Sequence, residues 1–156
     1  MFKGFIFDLD GTVYLGDSLI PGADRIIHLL RKKGKKVVFL SNDPLLTHEG
    51  YASKLTRLGI PTKPEEVVNS TLVMTNYLKK NAPQARLFVV GEPPFIEELK
   101  KAGFSITEEP KEIDYVIAAF DRTFDYRKLN IALQAIKNFG AHFIATNPDR
   151  TRPVQG

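Results

Sequence analysis

The sequence predicts an α/β protein with largely parallel sheets. Two observations support this class: short apolar runs rich in β-branched and aromatic residues recur along the chain, and segments with the apolar spacing of amphipathic helices separate them. Strands that alternate with helices of this length form parallel sheets covered by helices. The 156 residues, 43% of them hydrophobic, are enough to bury a core in one or two domains.

The N-terminal half supplies the first strands and helices. The run Phe-Ile-Phe at residues 5–7 predicts a strand buried on both faces, and therefore an interior strand of a sheet. A helix is predicted between Pro21 and Gly34, because its apolar residues recur at the i, i+3, i+4, i+7 spacing. The other predicted elements of this half are a strand at 36–40, a helix that Thr47 caps and Gly59 ends, a short strand at 67–68 and a helix over about 71–80.

The C-terminal half continues the alternation. Two helices are predicted here, and we expect Asp125 to cap the second of them. Leu129, Leu133 and Ile136 share one side of that helix and are expected to form its buried face. The predicted elements of this half are strands at 86–90, 115–119 and 142–145 and helices at 94–102 and 126–138.

A domain boundary is predicted between the two halves. The segment Asn-Ala-Pro-Gln at residues 81–84 is polar, contains a helix breaker and separates two similar sets of elements. The sequence therefore predicts one domain at 1–81 and a second at 82–156.

The composition excludes several classes of protein. The chain has no cysteine, which rules out disulfides, thiolate metal sites and a cysteine nucleophile. The net charge of +4 is small, and no basic stripe with interleaved aromatic residues accompanies it, so we expect no nucleic-acid partner. Apolar runs stay far below the ~20 residues of a membrane span, and Asp8 and Asp10 interrupt the apolar start that a signal peptide needs. We therefore expect a cytoplasmic protein without a membrane partner.

Candidate functional residues follow two of the predicted strands. Ligands of open α/β sheets bind outside the carboxyl ends of the strands. Asp8 and Asp10 leave the first strand on the same side, and two carboxylates so close together favour a bound cation, for which Mg²⁺ suits an all-oxygen donor set. Gly11 permits a tight turn there, with amides that can face an anion. Ser41 and Asn42 end the neighbouring strand, where a hydroxyl and an amide can hold phosphoryl oxygens.

These residues carry a resemblance to a known family. The run Phe-Asp-Leu-Asp-Gly-Thr-Val-Tyr at residues 7–14 directly follows a hydrophobic N-terminal strand. Ile-Pro-Gly-Ala at 20–23, Ser-Asn at 41–42 and Ala-Thr-Asn-Pro-Asp at 145–149 support it. The chain resembles the haloacid dehalogenase-like (HAD) phosphatases, and more closely their NagD and 4-nitrophenylphosphatase-type branch. The resemblance implies a Rossmann-like parallel-sheet core at 1–81 and an inserted α/β cap domain at 82–156.

The resemblance also implies a mechanism. Asp8 would be the nucleophile that takes the phosphoryl group as an aspartyl-phosphate, and Asp10 would protonate the leaving oxygen and later activate water. Mg²⁺ would be bound by the Asp8 carboxylate and the Asp10 backbone carbonyl. The resemblance thus implies a Mg²⁺-dependent phosphatase of a small phosphorylated metabolite, such as a sugar phosphate, a nucleotide or an aryl phosphate.

Further site residues and partners follow from the same resemblance. Asn147 and Asp149 either contact substrate from the cap or form an Asx-type turn around Pro148. A homodimer through the cap is compatible with this branch of the family. The residues implied to bind phosphate are Leu9, Gly11, Ser41 and Asn42.

Some features depart from the family pattern. A later lysine and a Gly-Asp-rich acidic motif are missing, so we expect the 156 residues to be the N-terminal part of a longer phosphatase, with the strand at 5–7 left as an exposed edge. The alternative is a phosphate- or metal-binding module without turnover, and a glycosyltransferase that uses Asp-x-Asp to hold a nucleotide sugar is the third reading. Asp43 stands where the family more often has asparagine, and we expect it to cap the next helix.

Overall fold

The structure, a computed structural model, describes residues 2–149 and 151. Within these residues the chain divides into two compact units. The first unit contains residues 2–42, 48–69, 149 and 151, and the second contains residues 43–47 and 70–148. No helix in the described residues is both long and apolar enough to cross a membrane.

The first unit is a parallel three-stranded sheet with two helices and a small hairpin. The sheet order is β1-β4-β5, and the two-stranded antiparallel hairpin β2-β3 follows the end of β1. The elements are β1 (Gly4–Asp8), β2 (Tyr14–Leu15), β3 (Ser18–Leu19), α1 (Ala23–Lys32), β4 (Lys36–Ser41), α2 (His48–Arg57) and β5 (Val67–Asn69).

The position of β1 differs from the interior strand that its composition predicts. Among the described residues β1 pairs only with β4 and therefore lies at the edge of the sheet. Its Ile6 side chain is 72% exposed, and Phe2 just before the strand is 80% exposed. The expectation that β1 is buried on both faces is wrong for this chain, because no described strand or helix covers the face that carries Ile6. The companion expectation of an exposed first strand is confirmed.

The second unit is a parallel four-stranded sheet with three helices. The sheet order is β7-β6-β8-β9. Leu87, Leu99 and Ile117, which come from two central strands and a helix, are fully buried in its core. The elements are α3 (Ser70–Asn81), β6 (Arg86–Val90), α4 (Pro93–Lys101), β7 (Ser105–Ile106), β8 (Tyr115–Ala118), α5 (Tyr126–Phe139) and β9 (His142–Ala145).

The structural division differs from the boundary expected at 81–84. Helix α3 belongs to the second unit, because its Met74 and Leu78 pack in one hydrophobic cluster with Leu87 and Leu99. The polar, proline-containing segment after α3 is a turn inside that unit. Segment 43–47 also groups with the second unit, and the chain returns to the first unit at Asp149.

Helix α5 buries a different side from the one that its leucines predict. Asp125 caps it as expected, accepting a hydrogen bond from the Lys128 backbone N–H at 2.7 Å. Leu129 and Leu133, however, are about half exposed, while the small residues at 132 and 135 are buried against β6 and β8. The expected burial is therefore wrong for Leu129 and Leu133, whereas Ile136, the third residue of the expected face, is partly buried against the same cluster.

Candidate active site

The ends of β1 and β4 lie side by side. Asp8, the last residue of β1, stands in register with Leu40, so Ser41 is the next residue of the adjacent strand. Ser41 is in turn in register with Asn69 at the end of β5. The carboxyl ends of all three strands therefore meet at one edge, and the first two sets of candidate residues leave the sheet together, as the sequence predicts.

The loop after β1 turns around one carbonyl oxygen. The Leu9 carbonyl accepts backbone hydrogen bonds from Thr12 at 3.2 Å, Val13 at 2.9 Å and Tyr14 at 3.2 Å. Leu9 itself is fully buried, which fixes this carbonyl relative to the core. Gly11 has a φ of 84°, a backbone conformation that side chains with a Cβ rarely adopt. The two carboxylates are therefore carried on a closed, internally bonded loop.

The backbone amide of Gly11 is used inside that loop. It donates to the Tyr14 carbonyl oxygen at 2.8 Å. The sequence suggests instead that this amide faces an anion, and an amide already bonded to a carbonyl has no second hydrogen to offer. Gly11 thus contributes its left-handed backbone to the site, and any phosphate contact must come from other donors.

Each motif carboxylate meets the side chain four residues later. Asp8 is exposed and accepts a hydrogen bond from the Thr12 hydroxyl, with 3.3 Å between Oγ1 and Oδ2. Asp10 is half-buried, and the Tyr14 hydroxyl donates to its Oδ2 across 3.5 Å. Sequence reasoning quoted Thr12 and Tyr14 within the motif but gave them no role. Each of the two lies four residues after one carboxylate, and this spacing is the signal that could have identified them.

The donor set at Asp8 fits a divalent cation of the hard kind. Asp8 makes no ion pair with a lysine or arginine among residues 2–149 and 151, and its carboxylate is exposed at the sheet edge. The Thr12 hydroxyl lies 3.3 Å from Oδ2 of Asp8, and carboxylate and hydroxyl oxygens are ligands that Mg²⁺ prefers. An arginine held against Asp8 would have excluded a metal.

Other predicted residues fall into separate places. Ser41 is buried, whereas Asn42 is exposed and its side-chain amide donates to Oδ2 of Asp149. Two residues 107 positions apart in the sequence are therefore brought together within the first unit. Asn147 belongs to the second unit and is half-buried.

Asp43 does not cap the next helix. Its Oδ1 accepts a hydrogen bond from the Leu45 backbone N–H at 2.9 Å, which closes an Asx-type turn. Helix α2 begins only at His48, beyond the reach of that turn. The helix-capping expectation is therefore wrong, because four residues, with a bend at 45–46, separate Asp43 from the start of the helix.

An ion pair that the sequence analysis did not single out lies in the second unit. Glu92, which follows β6, is buried. Its carboxylate accepts two hydrogen bonds from the Arg122 guanidinium, at 2.6 Å each, and a third from the backbone N–H of Arg122 at 3.1 Å. The Arg122 side chain lowers the pKa of Glu92 below the ordinary value of 4.5 despite burial, which acts in the opposite direction. Glu92 in turn raises the pKa of Arg122, with a smaller contribution from Asp43.

A second charged group fixes the loop after β8. Burial alone would raise the pKa of Asp121, but hydrogen bonds from Lys128 and Thr123 bring it below its ordinary value. The Lys128 ammonium lies 2.7 Å from Oδ2, and the Thr123 hydroxyl 2.7 Å from Oδ1. The turn between β8 and α5 is therefore held by an ion pair at one oxygen of Asp121 and by a neutral hydroxyl at the other.

Comparison with known proteins places the chain in a family. The family model described as haloacid dehalogenase-like hydrolase matches residues 5–105, which is more than half of the chain. The sugar phosphatase AraL of Bacillus subtilis is 41% identical over 150 residues, covering 96% of this chain and 55% of that protein.

Solved structures agree in fold. A 4-nitrophenylphosphatase from Thermotoga maritima has a TM-score of 0.88 and 33% identity, and the match covers 98% of this chain and 59% of that chain. NagD of Escherichia coli has a TM-score of 0.84 and 32% identity, with 95% of this chain and 58% of that one covered. This chain thus spans somewhat more than half the length of the relatives that it matches. The family match, together with the motif loop at the end of β1, shows that the chain belongs to the haloacid dehalogenase-like hydrolases.

Proposed function

We propose that the chain carries the nucleophile and the acid/base residue of a Mg²⁺-dependent phosphomonoester hydrolase. The observation that supports this most is the exposed Asp8 carboxylate at the edge of the sheet, which no described lysine or arginine pairs with, together with Asp10 on the same closed loop and Ser41 at the end of the adjacent strand. The names of the relatives, a sugar phosphatase and a 4-nitrophenylphosphatase, favour a small phosphorylated substrate over a module without turnover.

The first half-reaction is transfer to the protein. A carboxylate oxygen of Asp8 forms a bond to phosphorus while the bond from phosphorus to the leaving oxygen breaks, which yields an aspartyl-phosphate. The Asp10 carboxyl gives its proton to the leaving oxygen, so the alcohol departs neutral. Thr12, which donates to Oδ2 of Asp8, orients that carboxylate so that its other oxygen faces the substrate.

The second half-reaction restores the protein. Asp10, now a carboxylate, takes a proton from water as the water oxygen bonds to phosphorus. The bond between phosphorus and the Asp8 oxygen breaks, and inorganic phosphate leaves. Leu9, Ser41 and Asn42 are the proposed contacts of the phosphoryl oxygens during both steps.

The residues that would hold the metal are the Asp8 carboxylate and the Asp10 backbone carbonyl. A divalent cation there offsets the repulsion between an anionic nucleophile and an anionic phosphate ester. We further propose that the first unit is the core part that bears this site and that the second unit is the cap domain that selects the substrate.

The test is replacement of the nucleophile in the full-length protein that contains this chain. Asp8→Asn keeps the shape of the side chain but removes its negative charge, so turnover of 4-nitrophenyl phosphate should fall by about 1,000-fold or more. The matched control is Asp17→Asn, which makes the same chemical change at a side chain 84% exposed in the first unit. Mass spectrometry of the unmodified enzyme, quenched during turnover, should find a phosphoryl group on the peptide that contains Asp8. Turnover by Asp8→Asn close to that of the control would overturn the proposal.

A further inference from the structure

The buried tyrosine of the motif loop lies against the proposed acid/base residue. Tyr14 is 0% exposed, yet its hydroxyl points to Oδ2 of Asp10 at 3.5 Å. This distance is longer than a typical hydroxyl to carboxylate hydrogen bond. Catalytic hydrogen bonds are often long in ligand-free structures and shorten when substrate binds. A fully buried phenol thus presents its hydroxyl to a carboxylate oxygen of Asp10.

The backbone of Tyr14 is tied to the same loop as Asp10. Its N–H donates to the Leu9 carbonyl, its carbonyl accepts from Gly11, and it forms a bridge with Asp10. Tyr14 is also the first residue of β2, in register with Leu19 across the hairpin. The backbone of Tyr14 is therefore hydrogen-bonded to both Leu9 and Gly11 of the loop that carries Asp10. These bonds fix where the Tyr14 side chain starts relative to Asp10.

A cation lies over the face of that ring. The Lys54 ammonium of α2 is 3.9 Å from the centroid of the Tyr14 ring, within the range of a cation–π contact. A positive charge on the ring face draws electron density from the phenol and makes its hydroxyl a stronger hydrogen-bond donor. Lys54 is half-buried, which reduces the screening of this charge by water. Helix α2 thereby acts on Asp10 through Tyr14.

We propose that Tyr14 is a positioning residue for Asp10 and that Lys54 holds and polarises it. The Tyr14 hydroxyl holds Oδ2, so the proton exchanged with the substrate is carried on Oδ1 and directed to the leaving oxygen. The proposal rests on the proposed function, since it needs Asp10 as the general acid. It gives a role in the reaction to Tyr14, a motif residue that had none, and to Lys54, which lies outside the motif.

The test compares leaving groups in the full-length protein. An alkyl phosphate needs its leaving oxygen protonated, whereas 4-nitrophenolate departs readily without a proton. Tyr14→Phe keeps the buried ring and removes only the hydroxyl. It should lower kcat for an alkyl phosphate, such as a hexose phosphate, about 10- to 100-fold, which is part of a full general-acid contribution. For 4-nitrophenyl phosphate the loss should stay below about threefold, with KM for both substrates unchanged.

Variants of Lys54 give an independent readout in which the tyrosine remains. Lys54→Met keeps the packing of the aliphatic side chain and removes the charge, and it should show the same selective loss of alkyl phosphate turnover, at about two- to tenfold. Lys54→Arg restores a cation over the ring and should recover most of that loss. The control is Arg57→Met in the same helix, because the Arg57 side chain is 67% exposed and its ion pair within the described residues is with the exposed Asp17.

The outcomes separate this proposal from the proposed function. If Asp8→Asn abolishes turnover while Tyr14→Phe lowers both substrates equally or not at all, the hydrolase stands and the positioning role is overturned. If the unmodified protein hydrolyses neither substrate, both proposals fail. A selective loss in Tyr14→Phe and Lys54→Met, with thermal unfolding close to that of the Arg57→Met control, supports the role.

Discussion

The two sheets of the molecule treat similar strands in opposite ways. Strand β1 of the first unit and strand β8 of the second are both short and mostly apolar. Ile117 of β8 is 0% exposed because β6 and β9 flank it and helices cover it, whereas Ile6 of β1 is 72% exposed. The apolar composition of a strand therefore indicates that the strand would be stable in a buried position. The neighbouring strands and helices decide whether it is buried.

The first unit carries this imbalance beside the proposed site. Among the described residues no strand pairs with the outer edge of β1, and a strand added there would close this edge beside the exposed Ile6. An apolar edge with free backbone groups is otherwise a template for association with other chains. The second unit also has an exposed apolar edge, since Phe143 of its edge strand β9 is 62% exposed, but its central strands β6 and β8 are buried in a core.

The same substitution in the two sheets gives the largest expected contrast. Ile117→Ala removes buried methyl groups and leaves a cavity, so it should lower the free energy of unfolding by about 2–5 kcal/mol. Ile6→Ala in this chain removes groups that already contact water and should change it by less than about 0.5 kcal/mol. Urea unfolding of both variants of the 156-residue chain measures the difference. A cost at residue 6 as large as that at 117 would mean that the outer face of β1 is covered.

The charges of the second unit predict a dependence on pH. Arg122 holds the pKa of Glu92 below 4.5, so the ionised pair stabilises the fold above that pH. This stabilisation is lost progressively as the pH falls below 4.5 and through the lower pKa of the folded state. Glu92→Gln lacks the charge that pairs with Arg122, so its free energy of unfolding should lie below that of the unmodified protein near neutral pH. The glutamine also has no carboxyl group to protonate in acid. The gap should narrow on acidification.

The measurement for this prediction is the urea midpoint of both proteins from about pH 6 to about pH 3, the range in which a carboxylate of lowered pKa takes up its proton. A gap that stays constant over this range would show that Glu92 titrates alike in the folded and unfolded chain. Removing an exposed pair of the first unit, such as Asp17 with Arg57, should change stability by less than about 1 kcal/mol near neutral pH, because its charges are solvated.

The smallest expected contrast concerns the starts of two helices. Asp125 caps α5 with a side-chain hydrogen bond, whereas α1 begins at Gly22, in a left-handed conformation with no side-chain cap. Asp125→Ala should therefore cost about 1 kcal/mol. Asp24→Ala in the first turn of α1 should cost only about 0.3–1 kcal/mol, through the helix dipole alone. Thermal unfolding at two salt concentrations distinguishes the two, since only the dipole contribution should weaken strongly with salt.

Local patterns predicted most of the elements and one half of the site. Strands β6 and β9 have the bounds that their apolar runs predict, and Asp125 was identified as a cap from its place before a helical pattern. The motif loop could be located from the sequence because two acidic residues seldom follow directly on an apolar strand. Signals of this kind depend only on residues close together in the sequence.

What was missed depends on distant residues. Leu129 and Leu133 have the spacing of a buried face, but the side of α5 that packs against the sheet carries Ala132 and Ala135, with Ile131 and Ile136 partly buried beside them. Helix α3 joined the second unit because of packing that its own sequence does not reveal. Lys54 reaches Tyr14 from a helix forty residues away, and no spacing rule connects them. Strands of two residues, such as β7, are too short to leave any periodic signal.

The burial of Leu9 has a consequence for how related motifs are found in genomes. Searches that write this signature as two aspartates around an arbitrary residue treat the middle position as a wildcard. Here that position is completely enclosed, and its carbonyl anchors three successive amides. A pattern that demands a bulky aliphatic residue between the aspartates should reject most chance matches, since acidic pairs in solvated loops have no need for one.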